Sequence, residues 1–193
     1  MGKITLITGG ARSGKSTFAE ELLKGKDSVL YIATAMASDS EMKERIGRHR
    51  SRRNPKWETV EAYKDLGELV KAKCKDRDYI LLDCITLLVT NLMILENDVN
   101  WDNIDSKLLN KIEEGIKDEV DNFLDALNDF EGEAIIVTNE LGMGIVPEYP
   151  LPRYYRDIAG KINQQIARVA HEVYLTVSGI PVKIKPPKPA FSG

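Results

Sequence analysis

The sequence predicts an α/β fold in which a mostly parallel β-sheet is flanked by helices. Short apolar, β-rich segments alternate along the chain with segments of helical periodicity, and this alternation is typical of parallel strands joined by helices. The first apolar segment leads into a glycine-rich turn, and a helical segment follows it. Because 193 residues can bury one core, we expect a single domain over residues 1–193.

The composition argues against several classes of protein. The 27 basic and 30 acidic residues give a net charge of −3, which disfavours a general nucleic-acid-binding protein. No apolar run approaches the length of a membrane span, and the amino terminus runs directly into the first apolar segment, so we expect a cytoplasmic protein without a membrane partner. Cys74 and Cys84 lack the spacing of metal ligands, and we expect two reduced thiols.

The glycine-rich turn matches the GxxxxGK(S/T) phosphate-binding pattern without a mismatch. The matching residues are Gly9, Gly10, Ala11, Arg12, Ser13, Gly14, Lys15 and Ser16. A predicted strand over 3–8 precedes the turn and a predicted helix over 16–23 follows it, which is the context that the pattern requires. The glycines let the backbone approach phosphate oxygens, and the helix amino terminus presents N–H groups to the anion. We expect Lys15 to bind the β- and γ-phosphates of a nucleotide and Ser16 to bind Mg²⁺.

The second apolar segment, over 29–33, predicts another core strand. Thr34, Ala35 and Met36 follow it directly. Ligands of open α/β sheets bind at the carboxyl ends of the strands, and small residues there permit a nucleotide to approach. These three residues are therefore expected at the binding edge.

A basic cluster ends the next predicted helix, which Ser38 and Glu41 begin as a capping box and which extends to about residue 53. Five arginines surround His49 in this cluster: Arg45, Arg48, Arg50, Arg52 and Arg53. One interpretation is a solvated charged face. The other is an anion site, in which positive neighbours keep the imidazole neutral and nucleophilic while guanidinium groups hold phosphate. Composition leaves both interpretations open.

The third and fourth predicted strands each end in a carboxylate. Segment 57–61 alternates like a short strand and ends in Glu61, which faces either solvent or ligand. Segment 79–83 is apolar and ends in Asp83. In phosphate-loop enzymes an aspartate at this position holds Mg²⁺. A second possible role for Asp83 is to cap the helix that begins at Ile85.

The rest of the chain completes the predicted sheet and its helices. We predict a buried helix over 85–95, an amphipathic helix over 101–127, a strand over 134–138, a helix ending near residue 171 and a last strand over 172–177. Segment 57–61 is either a short strand or an extended segment, and we expect about five parallel strands in the sheet. Segment 139–147 has two glycines and a proline, which predicts a shaped loop at the substrate edge. His171 is interpreted as structural, and the tail from Lys185 is expected to be loose.

Taken together, these motifs resemble the bifunctional adenosylcobinamide kinase/adenosylcobinamide-phosphate guanylyltransferases of cobalamin biosynthesis. The resemblance covers nearly the whole chain. It rests on segment 9–16, Tyr31 to Thr34, the segment from Arg45 through His49 to Trp57 and Glu61, Leu82 to Thr86, Thr90 to Leu92, segment 139–147, and Arg156 to Gln164. The combination of the histidine–arginine cluster with segment 139–147 is much more specific than the phosphate loop alone.

The resemblance implies two reactions on one RecA-like phosphate-loop domain. ATP or GTP phosphorylates the aminopropanol hydroxyl of adenosylcobinamide. GTP then guanylylates a histidine, and the GMP passes to adenosylcobinamide phosphate to give adenosylcobinamide-GDP. The family's histidine corresponds to His49. The resemblance assigns Thr34 to Met36, Arg50, Ser51, Arg52, Arg53, Glu61 and Asp83 to the guanine-nucleotide site. It also implies a homo-oligomer, specifically a trimer.

Two other functions are compatible with parts of the sequence. In a plain small-molecule kinase, the arginines clamp phosphate, His49 takes no part, and no GMP becomes bound to protein. A RecA-like ATPase or regulatory module would instead act on nucleic acid or on a partner protein. The acidic balance and the single basic cluster disfavour nucleic acid as a partner.

Overall fold

The computed structural model describes residues 2–36, 47 and 54–185, and this part of the chain forms an α/β fold. Its strands are β1 (Lys3–Gly9), β2 (Val29–Ala33), β3 (Glu58–Glu61), β4 (Tyr79–Asp83), β5 (Glu133–Val137), β6 (Glu172–Val177) and β7 (Ile180–Lys185). Its helices are α1 (Lys15–Leu22), α2 (Leu66–Lys73), α3 (Ile85–Ile94), α4 (Ser106–Asp129) and α5 (Pro150–Val169). The helix predicted over 38–53 lies outside the described residues.

One sheet contains all of these strands, in the order β3-β2-β4-β5-β1-β6-β7. Strands β1 to β6 pair in parallel, and β7 pairs antiparallel to β6. The predicted mostly parallel sheet is confirmed, but the described residues contain six parallel strands instead of about five. The carboxyl ends of parallel strands meet at one edge of the sheet, which we call the carboxyl edge.

Strand β7 is a correction to the sequence prediction, which ended the last strand at residue 177. Ser178 and Gly179 have φ values of 51° and 83°, and two such residues suit a two-residue hairpin turn. Strand β7 lies at the edge of the sheet and its side chains are largely exposed, so its sequence lacks the continuous apolar run by which a buried strand is recognised. Pro181 within the strand also argued against a strand, although an edge strand tolerates proline.

Helices cover both faces of the sheet. On one face, Ile4, Leu6, Leu30 and Ile32 belong to a large core with apolar residues of α2, α3, α4 and α5. On the opposite face, Val29, Tyr31 and Ala33 belong to a smaller core with residues of α1. None of the described helices combines the length and apolar character that a membrane span requires.

The helix predicted over 101–127 begins later than expected. Trp101–Asn103 form a separate 3₁₀ turn, and α4 begins at Ser106. The Asp105 side chain accepts hydrogen bonds from the backbone N–H groups of Lys107, at 2.9 Å, and Leu108, at 3.3 Å. This aspartate caps α4 and sets its first residue, although the apolar spacing continues into the preceding segment.

Candidate active site

The phosphate-binding pattern occupies the turn between β1 and α1, as predicted. Gly9, Arg12 and Gly14 have φ values of 148°, 56° and 95°. The Ser13 N–H donates to the Gly10 carbonyl at 3.3 Å, and the Phe18 N–H donates to the Gly14 carbonyl at 2.9 Å. The loop therefore curls tightly and delivers the chain into α1 with free backbone N–H groups at the helix start, a geometry suited to an anion.

Lys15 is the first residue of α1, and its side chain reaches back to the phosphate loop. Its side chain is buried, and its Nζ donates to the Gly10 carbonyl at 2.6 Å. Burial lowers the pKa of Lys15, while the nearby groups of Cys84 and Asp83 oppose that effect. One hydrogen bond uses one of the three ammonium hydrogens, so the group retains donors for phosphate oxygens.

The turn between β6 and β7 packs against the phosphate loop. The Gly179 N–H donates to the Ser13 carbonyl at 2.9 Å. A Cβ added at Gly9 would lie 2.3 Å from the Thr176 carbonyl oxygen, whereas a Cβ at Gly10 would meet no atom within 4 Å. Gly9 therefore meets a packing requirement, while Gly10 faces open space from which an anion can approach.

Asp83 ends β4 at the same edge. Its Oδ2 accepts a hydrogen bond from the Tyr31 hydroxyl at 2.9 Å. Cys84 is the N-cap residue of α3, and no side-chain hydrogen bond caps that helix. The alternative role of Asp83 as a helix cap is therefore wrong.

Ser16 and Asp83 supply the kind of oxygen donor that Mg²⁺ prefers. Both residues are half-buried. Among the residues that the structure describes, no group of three or more His, Cys, Asp or Glu side chains is arranged to hold a metal. One hydroxyl and one carboxylate are a donor set of the kind that suits Mg²⁺, which usually keeps several waters and binds phosphate oxygens as well.

Thr34, Ala35 and Met36 follow β2 at the carboxyl edge, as predicted, but Thr34 is committed to the fold. Its Oγ1 donates to the Cys84 carbonyl at 2.6 Å and accepts from the Cys84 N–H at 2.8 Å. The Asn91 amide donates to the Thr34 carbonyl at 2.7 Å. Thr34 is fully buried, so its side chain ties β2 to the start of α3, while half-buried Ala35 and exposed Met36 remain accessible.

Glu61 lies in the same row of the sheet as Asp83, because Ala33 pairs with both. The Glu61 side chain is exposed at the edge strand β3, about 10 Å from β4 across two strand spacings. It therefore points into solvent beside the carboxyl edge. The other predicted residues, namely His49, Arg50, Ser51, Arg52 and Arg53, lie outside the described residues.

A polar network lies beneath the connection between β5 and α5. The Thr138 hydroxyl donates to Asn163 Oδ1 at 2.6 Å, and the Asn163 amide donates to the Asn139 carbonyl at 2.9 Å. The Asn139 amide donates to Thr86 Oγ1 at 2.7 Å, and the Tyr155 hydroxyl donates to the Thr86 carbonyl at 3.1 Å. The structure thus brings together the predicted 139–147 loop, Asn163 and the start of α3.

The sequence analysis assigned no role to the hydroxyl groups of Tyr31 and Tyr155 at this site. Tyr31 lies within an apolar stretch, whereas Tyr155 lies between Tyr154 and Arg156, and each presents its hydroxyl to a residue distant in sequence. The one available signal was a tyrosine at a core position, since a buried tyrosine hydroxyl needs a partner.

His171 and the two cysteines serve the fold. The Ile4 backbone N–H donates to His171 Nδ1 at 3.1 Å, and the His171 backbone N–H donates to the Ile4 carbonyl at 2.8 Å. The structural interpretation of His171 is confirmed. Cys74 and Cys84 are both buried free thiols, and burial raises the pKa of each to about 11.

The loop, the buried lysine and the strand order define a phosphate-loop nucleotide-binding protein of the α/β class. The model of the family "Cobinamide kinase / cobinamide phosphate guanyltransferase" matches residues 5–184. The chain belongs to this family, and the resemblance found in the sequence is confirmed.

Curated relatives agree with the family match. The chain is 46% identical over 181 residues to the "Bifunctional adenosylcobalamin biosynthesis protein CobU" of Escherichia coli, covering 93% of this chain and 98% of the relative. It is 47% identical over 184 residues to the protein of the same name from Salmonella typhimurium, with the same coverage. It is 38% identical over 181 residues to "Bifunctional adenosylcobalamin biosynthesis protein CobP" of Pseudomonas aeruginosa, covering 93% and 96%.

Proposed function

We propose that this chain catalyses two successive reactions of adenosylcobalamin biosynthesis. In the first, ATP or GTP phosphorylates the aminopropanol hydroxyl of adenosylcobinamide. In the second, GMP from GTP passes to adenosylcobinamide phosphate, giving adenosylcobinamide-GDP and pyrophosphate. Family membership and the names of the relatives support both steps. The observation that carries the proposal is the buried Lys15 ammonium group, which contacts the phosphate loop and interacts electrostatically with Asp83.

The phosphate loop binds the triphosphate in this proposal. Residues 9–14 supply backbone N–H groups, and Lys15 supplies positive charge to the β- and γ-phosphates. Ser16 and Asp83 hold Mg²⁺, which supplies charge neutralisation to the phosphates when it is bound. The low exposure of Lys15 strengthens its attraction for an anion, since water screens a buried charge weakly.

His49 is the nucleophile of the guanylyl transfer in this proposal. A neutral imidazole nitrogen attacks the α-phosphorus, so an N–P bond forms, the bond to the bridging oxygen breaks, and pyrophosphate leaves with the electron pair. A phosphate oxygen of adenosylcobinamide phosphate then attacks the same phosphorus and breaks the N–P bond. Arg50, Ser51, Arg52 and Arg53 bind the nucleotide phosphates and stabilise the negative charge that develops.

Glu61, Ala35 and Met36 complete the guanine-nucleotide site in this proposal. Their accessibility at the carboxyl edge supports the role, and a carboxylate such as Glu61 accepts hydrogen bonds from guanine N1–H and N2–H. Thr34 contributes by positioning β2 against α3. The proposal also includes one domain over residues 1–193, a homotrimer and a cytoplasmic location, with no nucleic-acid or membrane partner; the resemblance and the negative net charge support these points.

Labelling with GTP tests the nucleophile. The protein is incubated with Mg²⁺ and GTP carrying ³²P at the α-position, then denatured, and the bound label is treated with acid and with base. We expect label that is acid-labile and base-stable in the wild type and absent in His49→Ala. His171→Asn is the control, because it keeps a side-chain acceptor for the Ile4 N–H. A nucleotide-binding wild type without label would reject the covalent mechanism in favour of a plain kinase.

A further inference from the structure

The connection between β5 and α5 displays apolar side chains that the fold does not bury. Met143, Ile145, Val146 and Tyr149 are 80%, 95%, 60% and 68% exposed. We call these four residues the apolar rim. A cluster of exposed apolar residues within one short loop marks a binding site more often than single scattered residues do.

Hydrogen bonds hold the backbone that carries the apolar rim. The Glu140 N–H donates to the Gly9 carbonyl at 2.9 Å, and the Gly142 N–H donates to Glu140 Oε1 at 2.5 Å. At the other end, Arg153 Nη1 donates to the Glu148 carbonyl at 2.6 Å. Hydrogen bonds therefore fix both ends of the loop that carries the apolar rim. The first residues of this loop are hydrogen-bonded directly to the phosphate loop.

The position of the apolar rim matches the place that an acceptor must occupy. Strand β5 lies between β4, which ends in Asp83, and β1, which ends in the phosphate loop. Both proposed transfers require an acceptor oxygen within about 3–3.5 Å of a phosphorus atom, in line with the leaving atom, which is an oxygen in the kinase step and the His49 nitrogen in the guanylyl transfer. The body of the acceptor must then extend from the carboxyl edge, and the loop at 139–147 adjoins that edge.

The chemistry of the apolar rim also matches the acceptor. A corrin ring offers a broad apolar face, edge methyl groups and neutral amide arms, and a cobalt(III) corrin with an alkyl ligand carries positive charge. Methionine and branched aliphatic side chains adapt to such a face, and Tyr149 offers a flat ring. Glu140 and Glu148 belong to the same loop, and their negative charges favour a nearby cation.

We propose that the apolar rim is the docking surface for the corrin ring of the acceptor in both reactions. This inference rests on the proposed function and adds to it where the acceptor binds. In this proposal the phosphate loop binds the nucleotide and the apolar rim binds the corrin ring, so separate parts of the carboxyl edge hold the two substrates.

The test separates acceptor binding from nucleotide chemistry. The double variant Met143→Ser/Ile145→Ser is compared with the wild type and with Ile184→Ser, which removes an exposed apolar side chain from β7 near the opposite edge. Three quantities are measured: the rate of labelling by α-³²P GTP, the KM for adenosylcobinamide phosphate, and the mass by sedimentation. Labelling needs no acceptor, so it reports on the folded nucleotide site alone.

We expect the double variant to label within twofold of the wild-type rate and to have a KM for adenosylcobinamide phosphate at least tenfold higher. Ile184→Ser should match the wild type in both. An unchanged KM in the double variant would overturn the docking surface. A changed sedimentation mass would also overturn it, since the apolar rim would then be a contact between copies of the chain. Failure of the wild type to label or to turn over would instead overturn the proposed function.

Discussion

Tyr31 serves both the core and the candidate site. Its ring is buried and stacks against Trp57 with centroids 6.4 Å apart, while its hydroxyl donates to Asp83 Oδ2 at 2.9 Å. The hydrogen bond engages Oδ2, and in the proposed function the Asp83 carboxylate also binds Mg²⁺. Tyr31 is therefore a positioning residue for Asp83.

Tyr31→Phe keeps the ring and removes the hydroxyl. Without that donor the Asp83 carboxylate loses its fixed orientation, so we expect the Mg²⁺ concentration for half-maximal nucleotide binding to rise about three- to tenfold, equivalent to about 1 kcal/mol. Calorimetric titration of nucleotide at several Mg²⁺ concentrations measures this shift. Nucleotide binding without Mg²⁺ should stay unchanged. An equal loss of affinity with and without Mg²⁺ would show that the hydroxyl acts on the fold alone.

The Cys84 thiol makes the stability depend on pH in the alkaline range. Burial raises the pKa of Cys84 from 9.0 to about 11. The unfolded chain then releases the thiol proton at lower pH than the folded chain. The contribution of Cys84 to the free energy of unfolding is therefore complete below pH 9 and is lost as pH rises toward 11. We expect the free energy of unfolding to fall by about 2 kcal/mol between pH 8 and pH 10.5 through this group.

Urea unfolding across this range measures the effect, with Cys84→Ala as the comparison. The variant has a different stability at pH 8, so the comparison uses the slope of the free energy of unfolding against pH and not its absolute value. Its slope should be shallower than that of the wild type. Parallel slopes would mean that other groups cause the alkaline loss.

Single residues were predictable where the chemistry is contiguous in the chain. Gly14, Lys15 and Ser16 share one motif, so their positions followed from spacing. Tyr31 and Asp83 meet because β2 and β4 are neighbours, and no local pattern encodes that pairing. Thr34 was correctly placed at the edge, but only the structure showed that Cys84 uses its hydroxyl.

At the scale of elements, a side chain from another helix caps the amino terminus of α2. Its N-cap residue, Asp65, has a φ of 56° and makes no capping hydrogen bond with its own side chain. Instead, the Glu119 carboxylate on α4 accepts from the Asp65 N–H at 3.0 Å and from the Leu66 N–H at 2.8 Å. The cap thereby joins two helices of the larger core.

Glu119→Ala should destabilise the protein by about 1–2 kcal/mol, because it leaves two helix-start N–H groups without this acceptor. Glu119→Gln should lose less, since its amide oxygen still accepts. Glu114→Ala on the exposed face of the same helix is the matched control and should stay within about 0.5 kcal/mol of the wild type. Denaturant unfolding measures all three, and equal stability of Glu119→Ala and Glu114→Ala would contradict the cap.

Elements with a buried face were predictable, and exposed or capped ends were not. The buried helix α3 matched its prediction within a residue, since its apolar run coincides with burial. Strand β7 offered no such run, and the start of α4 depends on the Asp105 side chain more than on hydrophobic spacing. Periodicity detects what faces the core, and these features face water.

At the scale of the whole molecule, one sheet joins the described chain from Lys3 to Lys185. Strand β1 lies inside it and β7 at its edge, so early and late segments of the chain share the core. We therefore expect one cooperative unfolding transition, with far-ultraviolet circular dichroism and tryptophan fluorescence giving the same midpoint. A Trp101→Phe variant leaves Trp57 as the fluorescent reporter. Two separated midpoints would contradict a single domain.

The class of fold and the location of the site followed from the sequence, but the strand order did not. Alternating strands and helices predict a parallel sheet with ligands at its carboxyl edge, and this edge holds the phosphate loop and Asp83. The placement of β5 between β4 and β1 is a property of tertiary packing. That placement sets the 139–147 loop beside the phosphate loop.

The contact between Gly9 and Thr176 restricts how the loop can evolve. The atom that excludes a larger residue at position 9 is a main-chain carbonyl oxygen of β6, so no change of side chain in that strand relieves the clash. A glycine that a motif search attributes to nucleotide recognition is therefore also demanded by a distant part of the chain. A descendant that no longer binds nucleotides is therefore also expected to retain this glycine. Its presence alone is weak evidence that a protein binds nucleotides.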